Sequence, residues 1–218
     1  MMEGLNQEML DALPVDLHEM AASIYPRRIQ RCLTLLDRRV DGVVVAAESI
    51  YRRHNVSAIL RSAEAFGVHE AHLICNAFTP VAGASKGAER WLDMSFFERT
   101  EEWAEQMRKR KHRIFVADIS EEAHTPDTLP VDQPFAVLFG GELAGVSDVA
   151  HSLADGVVSV PMVGVTQSLN VSVAAAVVLS RLVERRRAVP GVVGIQGEKR
   201  NAYLRDFVQR EFARRRSR

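Results

Sequence analysis

Apolar residues gather in short blocks, and the polar stretches between them carry apolar residues on one side only. Val43–Ala47, Ala71–Cys75, Arg113–Ala117, Phe135–Phe139 and Val157–Val160 are runs dominated by Val, Ile, Leu, Ala and Phe. Their length and composition predict strands buried on both faces. Trp91–Phe97 reads as a further strand. Between them lie helical patterns. Pro26, with its fixed φ, starts a helix through Arg39 whose apolar side is Ile29, Cys32, Leu33, Leu35 and Leu36. Asn55 opens a helix that ends near Phe66, before Gly67. Thr100–Lys111 carries Glu101 and Glu102 at the positive helix end. Glu198–Arg216 is a last, basic helix. Residues 1–16 read as a weak helix or a disordered lead ended at Pro14.

The stretch from Val160 to Leu182, VPMVGVTQSLNVSVAAAVVLSRL, stands apart. Pro161 and Gly164 mark a loop. Ser168 or Asn170 supplies an N-cap oxygen for the segment after it. Val171–Leu182 is almost wholly apolar or small, which predicts a helix buried on most of its circumference. Strands alternating with helices predict a largely parallel sheet covered on both faces. Ligands in such sheets collect beyond the carboxyl ends of the strands. That points to the loops after Ala117, Phe139 and Val160. Residues 76–90, rich in Gly and Ala and carrying Lys86 and Arg90, form a long loop of the kind that is usually functional or mobile.

Charge changes the picture. The net charge is zero over 218 residues, yet residues 181–218 hold 12 Lys and Arg against 4 Asp and Glu. Residues 27–39 hold five Arg and one Asp. Basic ends on an acidic body predict a surface for a polyanion, and the preference for Arg fits bidentate phosphate contacts. The alternative is a pair of solvated helices with basic outer faces. Cys32 and Cys75 have no paired spacing, so neither a disulfide framework nor a zinc site is expected, and a reducing cytoplasm is. The acidic N-terminus lacks the apolar core of a signal peptide. The longest wholly apolar run, Val173–Leu179, is too short for a bilayer, so no membrane partner is expected. There is no G-x-G-x-x-G, Walker loop, G-x-S-x-G or H-E-x-x-H, and the His residues lack ligand spacing, so no metal is expected.

What remains is a set of polar residues near strand ends: Asn55 and Arg61, Glu142 after two glycines, Ser168 and Asn170. Singly, each has an ordinary explanation as a cap, an ion-pair partner or a turn residue. HNVSAILRSAEAFGVHEAHLI, FGGELAGVS and VPMVGVTQSLNVSVAAAVVL, however, resemble in order the three signature motifs of the SpoU/TrmH family of RNA ribose 2′-O-methyltransferases. The resemblance runs from about Tyr25 to Arg187. The upstream YPRRIQRCLTLLDRR and the basic tail are similar to the branch that modifies the D-loop guanosine, position 18, of tRNA.

This resemblance implies an α/β fold: a mostly parallel sheet flanked by helices, with a C-terminal trefoil knot. Residues 41–187 would form the methyltransferase domain, with helical extensions at 1–40 and 188–218. It implies S-adenosylmethionine held by backbone near Ala117, Gly140, Val160 and Leu169, and a homodimer with a shared catalytic pocket. Arg61 would act on the 2′-hydroxyl from the subunit opposite the cofactor, and Asn55 would orient the ribose or Arg61. Glu142, Ser168 and Asn170 would shape the site. Arg27, Arg28, Arg31, Lys86, Arg90 and Arg205 would hold the tRNA. The alternatives are the same transfer to ribosomal RNA, or an RNA-binding protein on this fold without catalysis.

Overall fold

The structure is a computed structural model and describes residues 5–75, 87–141 and 144–216. Two compact units result: residues 40–192 form one, and the two ends of the chain, 1–39 and 193–218, form the other.

The larger unit is a six-stranded parallel sheet. Its strands are β1 (Val40–Glu48), β2 (Val68–Ile74), β3 (Asp93–Phe97), β4 (Arg113–Ala117), β5 (Phe135–Phe139) and β6 (Gly156–Val158), in spatial order β3-β2-β1-β5-β4-β6. Alternation along the strands divides the core. Val43, Val45 and Ala47 of β1 join the cluster that holds Ile59, Leu60 and Leu179, while Val44 and Ala46 join Trp103 and Met107 on the other face. The helices follow from this division. Residues Arg53–Phe66 (α4) and Val171–Arg187 (α7) supply the first cluster, and Thr100–Lys109 (α5) with Asp148–Leu153 (α6) supply the second. Gly67 ends α4 at a φ of 95°, a conformation glycine adopts without steric cost. The chain leaves β1 toward β2 and leaves β5 toward β6, on opposite sides of the sheet, and such a reversal opens a crevice at the carboxyl ends. Register puts Ala47, Phe139, Ala117 and Val158 in one row there.

The smaller unit contains the helices Gln7–Asp11 (α1), His18–Ala22 (α2) and Pro26–Arg38 (α3), with Gly197–Arg216 (α8) from the far end of the chain. Ile29, Cys32, Leu33 and Leu36 of α3 are buried, as are Tyr203, Leu204, Phe207 and Val208 of α8. The Ile195 amide donates to Leu36 O at 2.9 Å, and Arg28 pairs with Glu211 at 2.6 Å. Burial pushes the Cys32 thiol up to about 12.

Several sequence expectations need adjustment. Within residues 5–16 a short helix covers Gln7–Asp11 and stops before Pro14, and the sequence reading did not include the 3₁₀ turn at Val15–Leu17 and the helix His18–Ala22 that follow. β3 starts at Asp93 because a 3₁₀ turn occupies Ala88–Arg90. β6 covers Gly156–Val158, short of Val160. α6 went unread: six residues give too few turns for an apolar period, and only the Ser147 cap marks its start. α7 leaves Val173 and Val177 exposed on the side away from its buried residues. Its last turns are also not free basic tail. Arg181 pairs with Asp127 at 2.7 Å, Arg185 donates to Pro126 O at 2.7 Å, and buried Arg186 donates to Val131 O and Asp132 O at 2.9 and 2.8 Å.

Candidate active site

A cavity of about 360 Å³ opens at the carboxyl ends of β4, β5 and β6. That volume lies in the range of small-molecule sites. Ala117, Phe139 and Val158 bring the strand ends to it, and the segment leading into α7 closes it with Met162, Ser168, Leu169 and Asn170. The wall is mostly backbone and apolar side chain. Among the described residues its only charged groups are Arg52 and Asp118.

Glycine shapes the entrance. A Cβ on Gly140 would lie 2.0 Å from Gly145 O, and one on Gly141 would lie 2.6 Å from Ser49 O. Backbone therefore packs on backbone, and the Gly145 amide donates to Gly141 O at 2.9 Å. Behind the turn, buried Glu48 at the end of β1 accepts from the Thr100 hydroxyl, the Ser147 amide at 3.0 Å and the Ser147 hydroxyl at 2.8 Å. Ser147 in turn caps α6. One carboxylate thus ties β1, α5 and α6 together beside the cavity, a role the sequence did not announce.

Asn170 caps α7, its Oδ1 accepting from the Ser172 amide at 2.9 Å and hydroxyl at 2.6 Å. Its Nδ2 donates to Oδ1 of buried Asn55 at 3.2 Å. Two asparagines 115 residues apart in sequence meet at the rim. Ala117, Gly140, Val160 and Leu169 all line the cavity, as do Ser168 and Asn170. Arg61 does not. It lies exposed on α4, away from the face that buries Asn55, Ile59 and Leu60, and forms no ion pair or hydrogen bond among the described residues. Glu142 and Lys86 lie outside the described residues. Of the expected RNA contacts, Arg27 is exposed beside the Tyr25 ring, and Arg90 is exposed with Glu89 3.9 Å away. Arg31 is exposed on α3. Arg28 is held by Glu211, and Arg205 is held by Asp16 at 3.2 Å and Glu198 at 3.1 Å. Arg52, Asp118 and Met162 were missed; a strand followed directly by Asp is the one signal that marked Asp118.

A parallel sheet with a pocket at its carboxyl ends, closed by a capped helix, defines an α/β protein with a site of small-molecule size. The solved structure of the Aquifex aeolicus TrmH/SpoU tRNA modifying enzyme matches it at a TM-score of 0.75 and 25% identity, over 85% of this chain and 96% of that one. Residues 42–180 match the SpoU rRNA Methylase family, and the chain belongs to that family. A curated relative from Thermus thermophilus, a tRNA (guanosine(18)-2'-O)-methyltransferase, is 37% identical over 171 residues, 76% of this chain and 86% of the relative. The SpoU methyltransferase AviRb from Streptomyces viridochromogenes, solved in complex with AdoMet, matches at a TM-score of 0.59 and 25% identity, over 68% of this chain and 62% of that one.

Among the described residues no cluster of His, Cys, Asp and Glu could hold a metal ion, and no helix is long and apolar enough to cross a membrane.

Proposed function

We propose that this chain is an S-adenosylmethionine-dependent methyltransferase acting on the ribose 2′-hydroxyl of guanosine 18 in the D-loop of tRNA, and that it works as a homodimer. The observation that carries the reading is the contact between Asn55 and Asn170. It joins the first and third sequence motifs at the rim of the cavity that Ala117, Gly140, Val160 and Leu169 line. The residues present suit the cofactor. An adenosine needs hydrogen-bonding groups at fixed angles, and strand ends and tight glycine turns supply backbone groups so fixed.

When bound, the cofactor supplies a methyl group on a sulfonium, already a strong electrophile. The protein's tasks are to position the ribose and to remove its proton. Asn55, buried and held by Asn170, is fixed enough to orient a ribose or the arginine that serves it. Ser168, which lines the cavity, and Glu142 shape the site. Arg61 takes the 2′-hydroxyl. A guanidinium is a poor base, so an RNA phosphate lying against it has to help draw off its proton.

Arg61 stands apart from the cavity of its own chain, which supports a site completed by a second subunit. Apolar exposure supports it too. Val163 and Val165 in the loop before α7 are fully exposed, and Val173 and Val177 continue the apolar surface along the helix. Patches of this kind mark association surfaces. The chain's likeness to the Thermus thermophilus relative, over most of both chains, favours tRNA.

The test is transfer of labelled methyl to bulk tRNA and rRNA, with the modified ribose mapped. Label in rRNA alone would overturn the substrate. Arg61→Ala is expected to lower transfer by at least a hundredfold while cofactor affinity stays within about twofold. Arg61→Lys is not expected to rescue, because an ammonium lacks the planar fork. Mixing Arg61→Ala subunits with subunits unable to bind cofactor should restore part of the activity. No recovery after proven subunit exchange would place the whole site in one chain.

A further inference from the structure

Asp118 has no part in the chemistry above, yet it is the only carboxylate lining the cavity among the described residues. It follows the last residue of β4, and its amide donates to Val158 O at 3.2 Å, which ties its backbone to β6. Its side chain is fixed at both oxygens. Oδ1 accepts from the Ile119 amide at 2.8 Å, and Oδ2 meets His151 Nε2 of α6 at 2.8 Å. Both side chains are about one-third exposed, at 35% for Asp118 and 36% for His151. A pair that wet contributes little to the stability of a fold. Gly145 puts no side chain against Oδ2, where an added Cβ would come into contact at 3.9 Å. A carboxylate oxygen has room for two donors, so each oxygen keeps one acceptor site free.

The proposed methyl donor carries one feature that matches a fixed pair of acceptors: the vicinal hydroxyls of its ribose. We propose that Asp118 recognises the 2′,3′-diol of the cofactor ribose, and that His151 is a positioning residue that holds the carboxylate for it. The assignment rests on the cofactor reading above. A carboxylate beyond a parallel strand taking ribose hydroxyls is a recurrent solution in nucleotide sites. Here it adds a carboxylate to a wall whose other polar side chains are Arg52, Ser159, Ser168 and Asn170, and with it a means of telling an adenosine from a deoxyadenosine. Hydrogen bonds to a charged acceptor are the stronger kind, and losing them is expected to weaken binding roughly ten- to a hundredfold.

The test is calorimetric binding of S-adenosylhomocysteine and of its 2′,3′-dideoxy analogue to the intact protein. Wild type should prefer the diol form by roughly tenfold or more. Asp118→Ala should bind the two forms equally, its loss falling on the diol form alone. Asp118→Asn, which keeps the shape, should lose most of the preference as well. His151→Ala should lose part of it at an unchanged melting temperature, and His151→Gln, which retains a donor, should recover it. Equal weakening of both ligands by Asp118→Ala, or full retention of the preference, would overturn the assignment while leaving the cofactor reading intact. No binding of either ligand by wild type would overturn the cofactor reading itself, and the assignment with it.

Discussion

Gly140 shows how one residue sets the shape of the cavity. Its missing side chain lets the Gly145 carbonyl approach to where a Cβ would stand, at 2.0 Å. No rotamer relieves that clash, because the colliding atoms are backbone on both sides. Gly140→Ala should displace the turn that lines the cavity, lowering cofactor affinity at least tenfold and thermal stability by roughly 2–4 kcal/mol. Calorimetry and urea unfolding check the two effects separately, and an alanine variant with both unchanged would mean that the turn yields easily. Gly140 was legible because the motif FGGELAGVS names it. Ala117, Val160 and Leu169 were legible through the motifs too, since a backbone-lined site follows strand ends. Asp118 and His151 were not. One is a carboxylate in an ordinary post-strand turn, and the other sits on a helix too short to read. Their meeting across 33 residues is a tertiary fact with no local trace.

Elements show the same division. β4 and β5 have the bounds their apolar runs give, because a strand buried on both faces states its own length. β1 runs on to Glu48, where composition suggests an end, because buried hydrogen bonds to Thr100 and Ser147 satisfy the carboxylate. α7 departs furthest from its pattern. Its apolar composition reads as burial on most of its circumference, and the part left open in the single chain carries Val173 and Val177. Its arginines, counted as basic tail, grip the segment between β4 and β5. Arg186 is the strongest case. Burial pulls its guanidinium below the usual arginine range, yet the group stays charged and gives Nη1 bonds to two carbonyls. Arg186→Met keeps the volume but strands those acceptors, and should cost about 2–4 kcal/mol in urea unfolding. Arg181→Met, at an exposed pair, should cost under about 1 kcal/mol. Equal costs at the two positions would show that burial does not decide the contribution.

At the scale of the molecule, the two ends of the chain build one unit, and Cys32 reports on it. Its unfolded thiol ionises near pH 9 and its folded thiol at about 12. Above pH 9 the folded state therefore holds a proton that the unfolded state has lost. This contribution is complete below pH 9 and fades as pH rises toward 12, by at most about 1.4 kcal/mol per pH unit. Cys32→Ala should flatten the alkaline limb of the stability profile. Deleting residues 197–218 removes Tyr203, Leu204, Phe207 and Val208 from that core. Cys32 should then react with iodoacetamide at pH 8, where the intact protein protects it, while cofactor affinity, a property of residues 40–192, stays unchanged. Continued protection of Cys32 would show that α1 to α3 hold their core without α8.

The pairing of the two ends also sets an order in time. A ribosome releases residues 5–39 long before residues 193–216, and the sheet of residues 40–192 emerges between them. The amphipathic face of α3 must wait, uncovered, while the sheet is made, until α8 leaves the exit tunnel. A segment made before the sheet is thus finished after it. A stalled or truncated nascent chain would present Ile29, Leu33 and Leu36 to whatever chaperone or protease surveys it, with the sheet domain already assembled.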